Sequence, residues 1–205
     1  MGVPAYFSYL IRNHPEMLIK LVNFKKQINN LYFDSNSIVY DCLRSIDKFY
    51  MNGLNSDEEF EEKLIKLVCD QLDLYITEIS PNKTVYIAFD GVAPVAKLEQ
   101  QRTRRHKSIL EQKIMSTIED KNPVWNKTAI TPGTNFMKKL NSYIKQYFKT
   151  PKNFGVENII VSGSDVRGEG EHKIFGYIRD NQIKHGNEVS IIYGLDADLI
   201  MLCLN

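Results

Sequence analysis

Apolar and polar positions follow two rhythms along this chain. Four short apolar runs, at residues 31–33, 84–89, 159–161 and 189–193, are rich in β-branched and aromatic side chains, which predicts strands. Between them, apolar residues recur every three or four positions, which predicts helices. Ser56 and Glu59 form a capping box. The helix it opens carries Phe60, Leu64, Leu67/Val68, Leu72, Tyr75 and Ile79 on one face and stops at Ser80-Pro81. Further helices are predicted over residues 37–50, 96–119 and 170–179, with a loop over 51–55. Thr131 before Pro132 reads as the cap of a helix whose inner face holds Phe136, Leu140, Tyr143/Ile144 and Tyr147. At the start, a short helix over residues 5–12 is interrupted at His14-Pro15 and is expected to resume over 16–24. Strands alternating with helices define an α/β architecture, a mostly parallel sheet flanked by helices on both faces.

Composition narrows the classes without changing this picture. No low-complexity run, Gly/Ser linker or internal repeat interrupts the chain, so an ordered unit of domain size is expected. Lys and Arg number 26 against 25 Asp and Glu, so a nucleic-acid partner would have to be recognised by where charges sit, not by net charge. Cys42, Cys69 and Cys203 are scattered and odd in number. With His14, His106, His172 and His185 they form no zinc-ligand spacing, and a reduced intracellular setting is expected. The first residues lack the pattern of a signal peptide, and Tyr6 stands where a myristoylation signal needs Ser or Thr. No apolar run is long enough to span a membrane, so the expectation is a soluble protein.

The candidate chemistry lies at the strand ends. In an open parallel sheet, ligands bind outside the carboxyl ends of the strands. Each predicted strand delivers acid there: Asp34, Asp90, then Glu169 and Glu171, then Asp196 and Asp198. One such Asp is usually a helix cap. Six converging on one edge repel each other and call for neutralisation by a hard cation with oxygen ligands, Mg²⁺ or Mn²⁺ rather than zinc. Gly168-Glu169-Gly170-Glu171 and Asp196-Ala197-Asp198 each place two carboxylates two residues apart. Two metal ions held this way are a standard device for phosphodiester hydrolysis, although phosphatases and simple Mg²⁺ sites share the pattern.

A basic helix begins close after Asp90. Lys97, Gln101 and Arg104/Arg105 fall at i, i+4 and i+7/i+8 and so share a face. Forked guanidinium groups, a point charge and a neutral donor together suit a terminal phosphate. A lone basic run reads equally as a solvated face or a nuclear-localisation signal; its adjacency to the acids favours a nuclease that grips a 5′ phosphate.

The blocks MGVPAYF, FDGVAPVAKLEQQRTRR, TPGTNFM, GEGEHKI and YGLDADLIML resemble, in order and spacing, those of the Xrn family of 5′→3′ exoribonucleases, across essentially the whole chain. The resemblance implies a 5′-nuclease (PIN-like) fold and a magnesium-dependent enzyme, with Mn²⁺ as a substitute, using two ions. It implies that Asp34, Asp90, Glu169, Glu171, Asp196 and Asp198 serve as catalytic metal ligands, and that Lys97, Gln101, Arg104 and Arg105 bind the 5′-monophosphate. The implied partner is single-stranded RNA with a 5′-monophosphate, degraded to mononucleotides in RNA decay, in the cytoplasm or alternatively the nucleus.

Two departures stand out. Tyr40 occupies the position where the family has a base-stacking His; its ring can stack on a base, or equally serve as a core aromatic of its helix. The family's catalytic region also continues past Leu202-Cys203-Leu204-Asn205 with a further acid and a stacking Trp, and Trp125 reads as local packing instead. Residues 1–205 are therefore expected to be the N-terminal part of a catalytic domain whose C-terminal half is supplied in cis or as a separate chain. A non-catalytic RNA 5′-end-binding module and a structure-specific DNA 5′ nuclease are the competing functions.

Overall fold

The computed structural model describes residues 5–49, 56–119 and 125–204; the predicted loop at 51–55 lies outside them. All four predicted strands are present: β1 (Asn30–Asp34), β2 (Thr84–Ala88), β3 (Asn158–Ser162) and β4 (Ser190–Tyr193). They form one parallel sheet in the order β3-β2-β1-β4. Phe33 of β1 lies opposite Ile87 of β2 and Tyr193 of β4.

Successive strand residues face opposite ways. Leu31, Phe33, Val85, Ile87, Ile159, Val161, Ile191 and Tyr193 therefore point to one face, and Tyr32, Tyr86, Ala88, Ile160 and Ile192 to the other. Helix α1 (Tyr6–Asn13) precedes the sheet; α2 (Asn36–Phe49) and α3 (Asp57–Ile79) lie between β1 and β2, and α4 (Val95–Glu119) and α5 (Asn135–Tyr147) between β2 and β3. Next come α6 (Gly170–Asp180) and α7 (Gln182–His185) before β4, and α8 (Asp198–Cys203) after it. α2, α3 and α5 cover the first face, and α6 covers the second through Ile174, Tyr177 and Ile178. With helices on both faces, each strand is apolar on both sides, which explains the continuous apolar runs.

The Ser56 hydroxyl accepts from the Glu59 N–H, so the predicted cap opens α3 as expected. Ser80 ends that helix in the left-handed region, at φ 52°, before Pro81. Trp125 packs between Phe60 of α3 and Phe136 of α5, with ring centroids 5.5 and 4.9 Å away, and is structural.

Three expectations need correction. The predicted helix over 16–24 is only two short 3₁₀ turns, Pro15–Met17 and Leu21–Asn23, with Leu18 and Lys20 extended. No residue from 16 to 24 is buried, so among the described residues this stretch has no packing to hold it helical across the extended Leu18 and Lys20. The cap of α5 is Thr134, not Thr131: its hydroxyl accepts from the Met137 N–H, and Gly133, at φ +92°, turns the chain in a way no helix starting at Pro132 allows. The inner face of α5 is Phe136, Met137, Leu140 and Ile144, while Tyr143 and Tyr147 lie at its exposed edge. There the Tyr147 hydroxyl can donate to Asp73, at 3.3 Å. No helix among the described residues is long and apolar enough to cross a membrane.

Because Trp125 joins α3 to α5, Trp125→Ala should cost about 3–5 kcal/mol of stability. Urea unfolding followed by far-ultraviolet circular dichroism measures this; a loss below about 1 kcal/mol would mean that the indole is not part of the core.

Candidate active site

Strand order reverses at β1: β2 and β3 extend to one side, and β4 adds on the other. Such a switch point opens a crevice beyond the carboxyl ends of the strands. Asp34 ends β1 there, Asp90 follows β2, and Asp196 follows β4. Together with Glu169, Glu171 and Asp198 they line one cleft of about 310 Å³, so the structure brings all six predicted acids together.

Several local devices hold them. Asn36 grips Asp90 twice: its side-chain amide donates to Asp90 Oδ2 at 2.5 Å, and its carbonyl oxygen accepts from the Asp90 N–H at 3.2 Å. The other carboxylate oxygen of Asp90 accepts from the Gly170 N–H at 2.7 Å. A backbone clip joins the two loops, Gly91 N–H to Gly168 O at 2.8 Å and Gly168 N–H to Val92 O at 3.0 Å. Gly170 leaves room for Asp34: a Cβ there would lie 2.5 Å from Asp34 Oδ1, so a side chain would displace that carboxylate. After β4, the Asp198 N–H donates to Asp196 Oδ1 at 3.0 Å, folding that acid pair back toward the cleft.

The acids are only partly neutralised. Lys97 Nζ lies 2.6 Å from Glu169 and 3.5 Å from Glu171. Asp34 Oδ1 is buried without a hydrogen-bond partner. Burial first, then the charges of Asp90, Glu171 and Asp196, push the Asp34 carboxyl up to about 7, against the pull of a backbone hydrogen bond from Asn36. An unpartnered buried carboxylate oxygen among five further acids fits a hard divalent cation. Glu169, Glu171 and His172 bring ligand atoms within 4.8 Å of one another, a spacing that could hold a metal ion.

The basic face enters the same cleft. Lys97, Gln101 and Arg104 line it with the acids, and Gln100 joins them. A second cleft of about 610 Å³ shares Asp34, Asp90, Gln101, Arg104 and Asp196 with the first and continues past Arg105. Tyr40 lines this second cleft and is 38% exposed, so it is a wall residue and not a core aromatic.

Sequence reasoning missed Asn36, Gln100, His172 and Lys173. Lys173 is buried on α6, and its ammonium donates to Phe89 O at 2.7 Å and Gly163 O at 2.8 Å. Burial pulls it down to about 8, with the charges of Asp90 and Asp165 opposing. One signal was available: Gly170, Lys173 and Ile174 fall at i, i+3 and i+4 on the inner face of α6.

A parallel α/β sheet with acids gathered at its switch point defines a PIN-like nuclease domain. The chain belongs to the Xrn family: the family model described as "XRN 5'-3' exonuclease N-terminus" matches residues 1–205. It is 37% identical to the 5'-3' exoribonuclease 1 of Saccharomyces cerevisiae and 34% identical to that of Homo sapiens, covering 100% of this chain in each case. It is 33% identical to the 5'-3' exoribonuclease 2 of Kluyveromyces lactis, again over 100% of this chain. The chain spans 14%, 12% and 24% of the length of these three relatives.

The Asp34 environment predicts a pH dependence. Its folded value of about 7 lies above its unfolded value of about 3.9, so the folded state keeps the proton between the two. The stabilisation is complete below the unfolded value and is lost as pH rises to about 7. In EDTA, Asp34→Asn should flatten this loss and melt several degrees above the parent protein near neutral pH. Thermal melts across that range check this; parallel curves for parent and variant would contradict it.

Proposed function

We propose that this chain carries the catalytic acids and the 5′-end pocket of a divalent-metal-dependent 5′→3′ exoribonuclease acting in RNA decay. The observation that carries this reading is that Lys97, Gln101 and Arg104 of α4 line one cleft with the six acids, while Arg105 lines the adjoining one. The names of its relatives support the same reaction class.

Asp34, Asp90, Glu169, Glu171, Asp196 and Asp198 would hold the metal, two Mg²⁺ ions or Mn²⁺ in their place, with His172 at the rim. When bound, such ions supply a water of lowered pKa and stabilise charge on the leaving oxygen. The residues of the chain do the rest. Lys97, Gln101, Arg104 and Arg105 bind the terminal 5′-monophosphate by charge-assisted hydrogen bonds, which fixes the register of single-stranded RNA against the acids. Tyr40, beside Arg104 and Arg105 in the adjoining cleft, stacks on a base. Asn36 and Gly170 keep the Asp90 carboxylate oriented through the reaction. Mononucleotides then leave one at a time. The partner that closes the cleft is the C-terminal half of the catalytic domain, in cis or as a separate chain, and the setting is the cytoplasm, with the nucleus as the alternative.

The test is degradation of 5′-monophosphorylated RNA, 5′-hydroxyl RNA and the matching DNA, with Mg²⁺ or EDTA, by the chain together with its C-terminal half. Mononucleotide release from the first substrate alone, only with Mg²⁺, is expected. Binding without cleavage would indicate a 5′-end-binding module, and cleavage of the DNA a structure-specific nuclease.

Asp198→Ala should remove most turnover while leaving RNA binding and the fold intact; a near-parental Mg²⁺-dependent rate would sink the metal assignment. Arg104→Ala should erode the preference for 5′-phosphate over 5′-hydroxyl RNA by about 1.5–3 kcal/mol, read as competition binding. Equal weakening toward both RNAs would make α4 merely structural.

A further inference from the structure

Lys173 lies outside both clefts, yet three parts of the site meet at its ammonium group. The paired part of β2 and β3 ends at Ala88 opposite Ser162, and the Phe89 N–H adds one last ladder bond to Ser162 O at 2.9 Å. Beyond that point the carbonyls of Phe89 and Gly163 have no strand partner, although Gly163 O also accepts from the Val166 N–H of its own loop at 3.1 Å. Lys173 Nζ takes both, at 2.7 and 2.8 Å.

The two carbonyls are not arbitrary. Phe89 immediately precedes Asp90, and Gly163 opens the loop that leads to Glu169 and Glu171. Lys173 itself stands two residues after Glu171, on the buried side of α6 next to Ile174. A buried ammonium is expensive to desolvate, and a Met or Leu of similar size would fill the space without that cost. What an apolar side chain would not do is fasten the end of β2, the loop after β3 and the first turn of α6 to one point. The rest of the loop is held by α5, where the Asn141 amide donates to Ser164 Oγ at 2.9 Å and Lys145 pairs with Asp165 at 3.0 Å.

We propose that Lys173 is a positioning residue that sets the spacing between Asp90 and the Glu169–Glu171 pair, and through it the ability of the acids to bind divalent cations, without touching substrate or ion. The proposal rests on the metal reading given above, and its test separates the two.

The experiment is a Mn²⁺ titration of the metal-stripped full chain by electron paramagnetic resonance, on the parent, Lys173→Met and Lys173→Gln. The preference for 5′-phosphate over 5′-hydroxyl RNA is measured alongside, in EDTA. Groups that orient metal ligands are typically worth about 10–100-fold in metal affinity. Lys173→Met should weaken Mn²⁺ binding by at least about tenfold and leave the 5′-phosphate preference unchanged, because that preference resides on α4. Lys173→Gln keeps amide donors without the charge and should lose less. It carries the test if Lys173→Met does not fold. Unaltered Mn²⁺ affinity in a folded variant overturns the proposal, and so does a parallel loss of metal binding and phosphate preference, which marks a purely structural role. If the parent binds no Mn²⁺, the metal reading itself falls and the proposal falls with it.

Discussion

Repulsion among carboxylates is the constraint around which this molecule is organised. Six acids line one cleft, and Asp34 keeps a buried oxygen with no partner. Left to themselves, such groups separate or take up protons. The fold resists separation by tying four of the acids to neighbouring groups, while Asp34 answers the repulsion by holding its proton more tightly. Asp90 is held at both oxygens and at its own N–H, Glu169 and Glu171 share the ammonium of Lys97, and Asp196 accepts from the first turn of α8. The crowding left over is electrostatic strain that a cation bound there would relieve.

The topology makes this possible. A central β1 with later strands on both sides brings segments far apart in sequence to one edge. Close backbone approach then does what side chains could not. The Gly91–Gly168 clip and the bare Cα of Gly170 let two loops and a helix start crowd around Asp34 and Asp90. At the end of β4, a Cβ on Gly194 would strike the Leu199 side chain, so the turn carrying Asp196 and Asp198 is tied to the sheet by the same kind of contact.

This division of labour explains what could be read from the sequence. The strands were legible because both faces of the sheet are covered, which leaves unbroken apolar runs. The six acids were legible because each follows a strand end, and the basic face because i, i+4 spacing survives into α4. Asn36 was not legible, since an Asn at a helix start looks like any other, and its grip on Asp90 spans 54 residues. Lys173 was not legible either, because nothing local reveals that the carbonyls of Phe89 and Gly163 lie beneath it. Tyr40 was ambiguous because it adjoins the buried Val39; only the position of α4 decides that its ring faces a cleft. Thr131 was read as the cap because Pro132 follows it, and the left-handed Gly133 moves the helix start to Thr134. The apolar pattern over 16–24 promised a helix for which the described residues offer no packing surface.

The central place of β1 also bears on how the chain is made. Asn30 pairs with Ser190, 160 residues later, so β1 leaves the ribosome long before the strand that covers its far edge. At about 5–20 residues per second, β1 waits on the order of ten seconds or more for β4. Throughout that interval its far edge exposes unpaired N–H and C=O groups beside Leu31 and Phe33, a template for pairing with another nascent chain. Synthesis rate and chaperone access during this window would then bear on the yield of native protein.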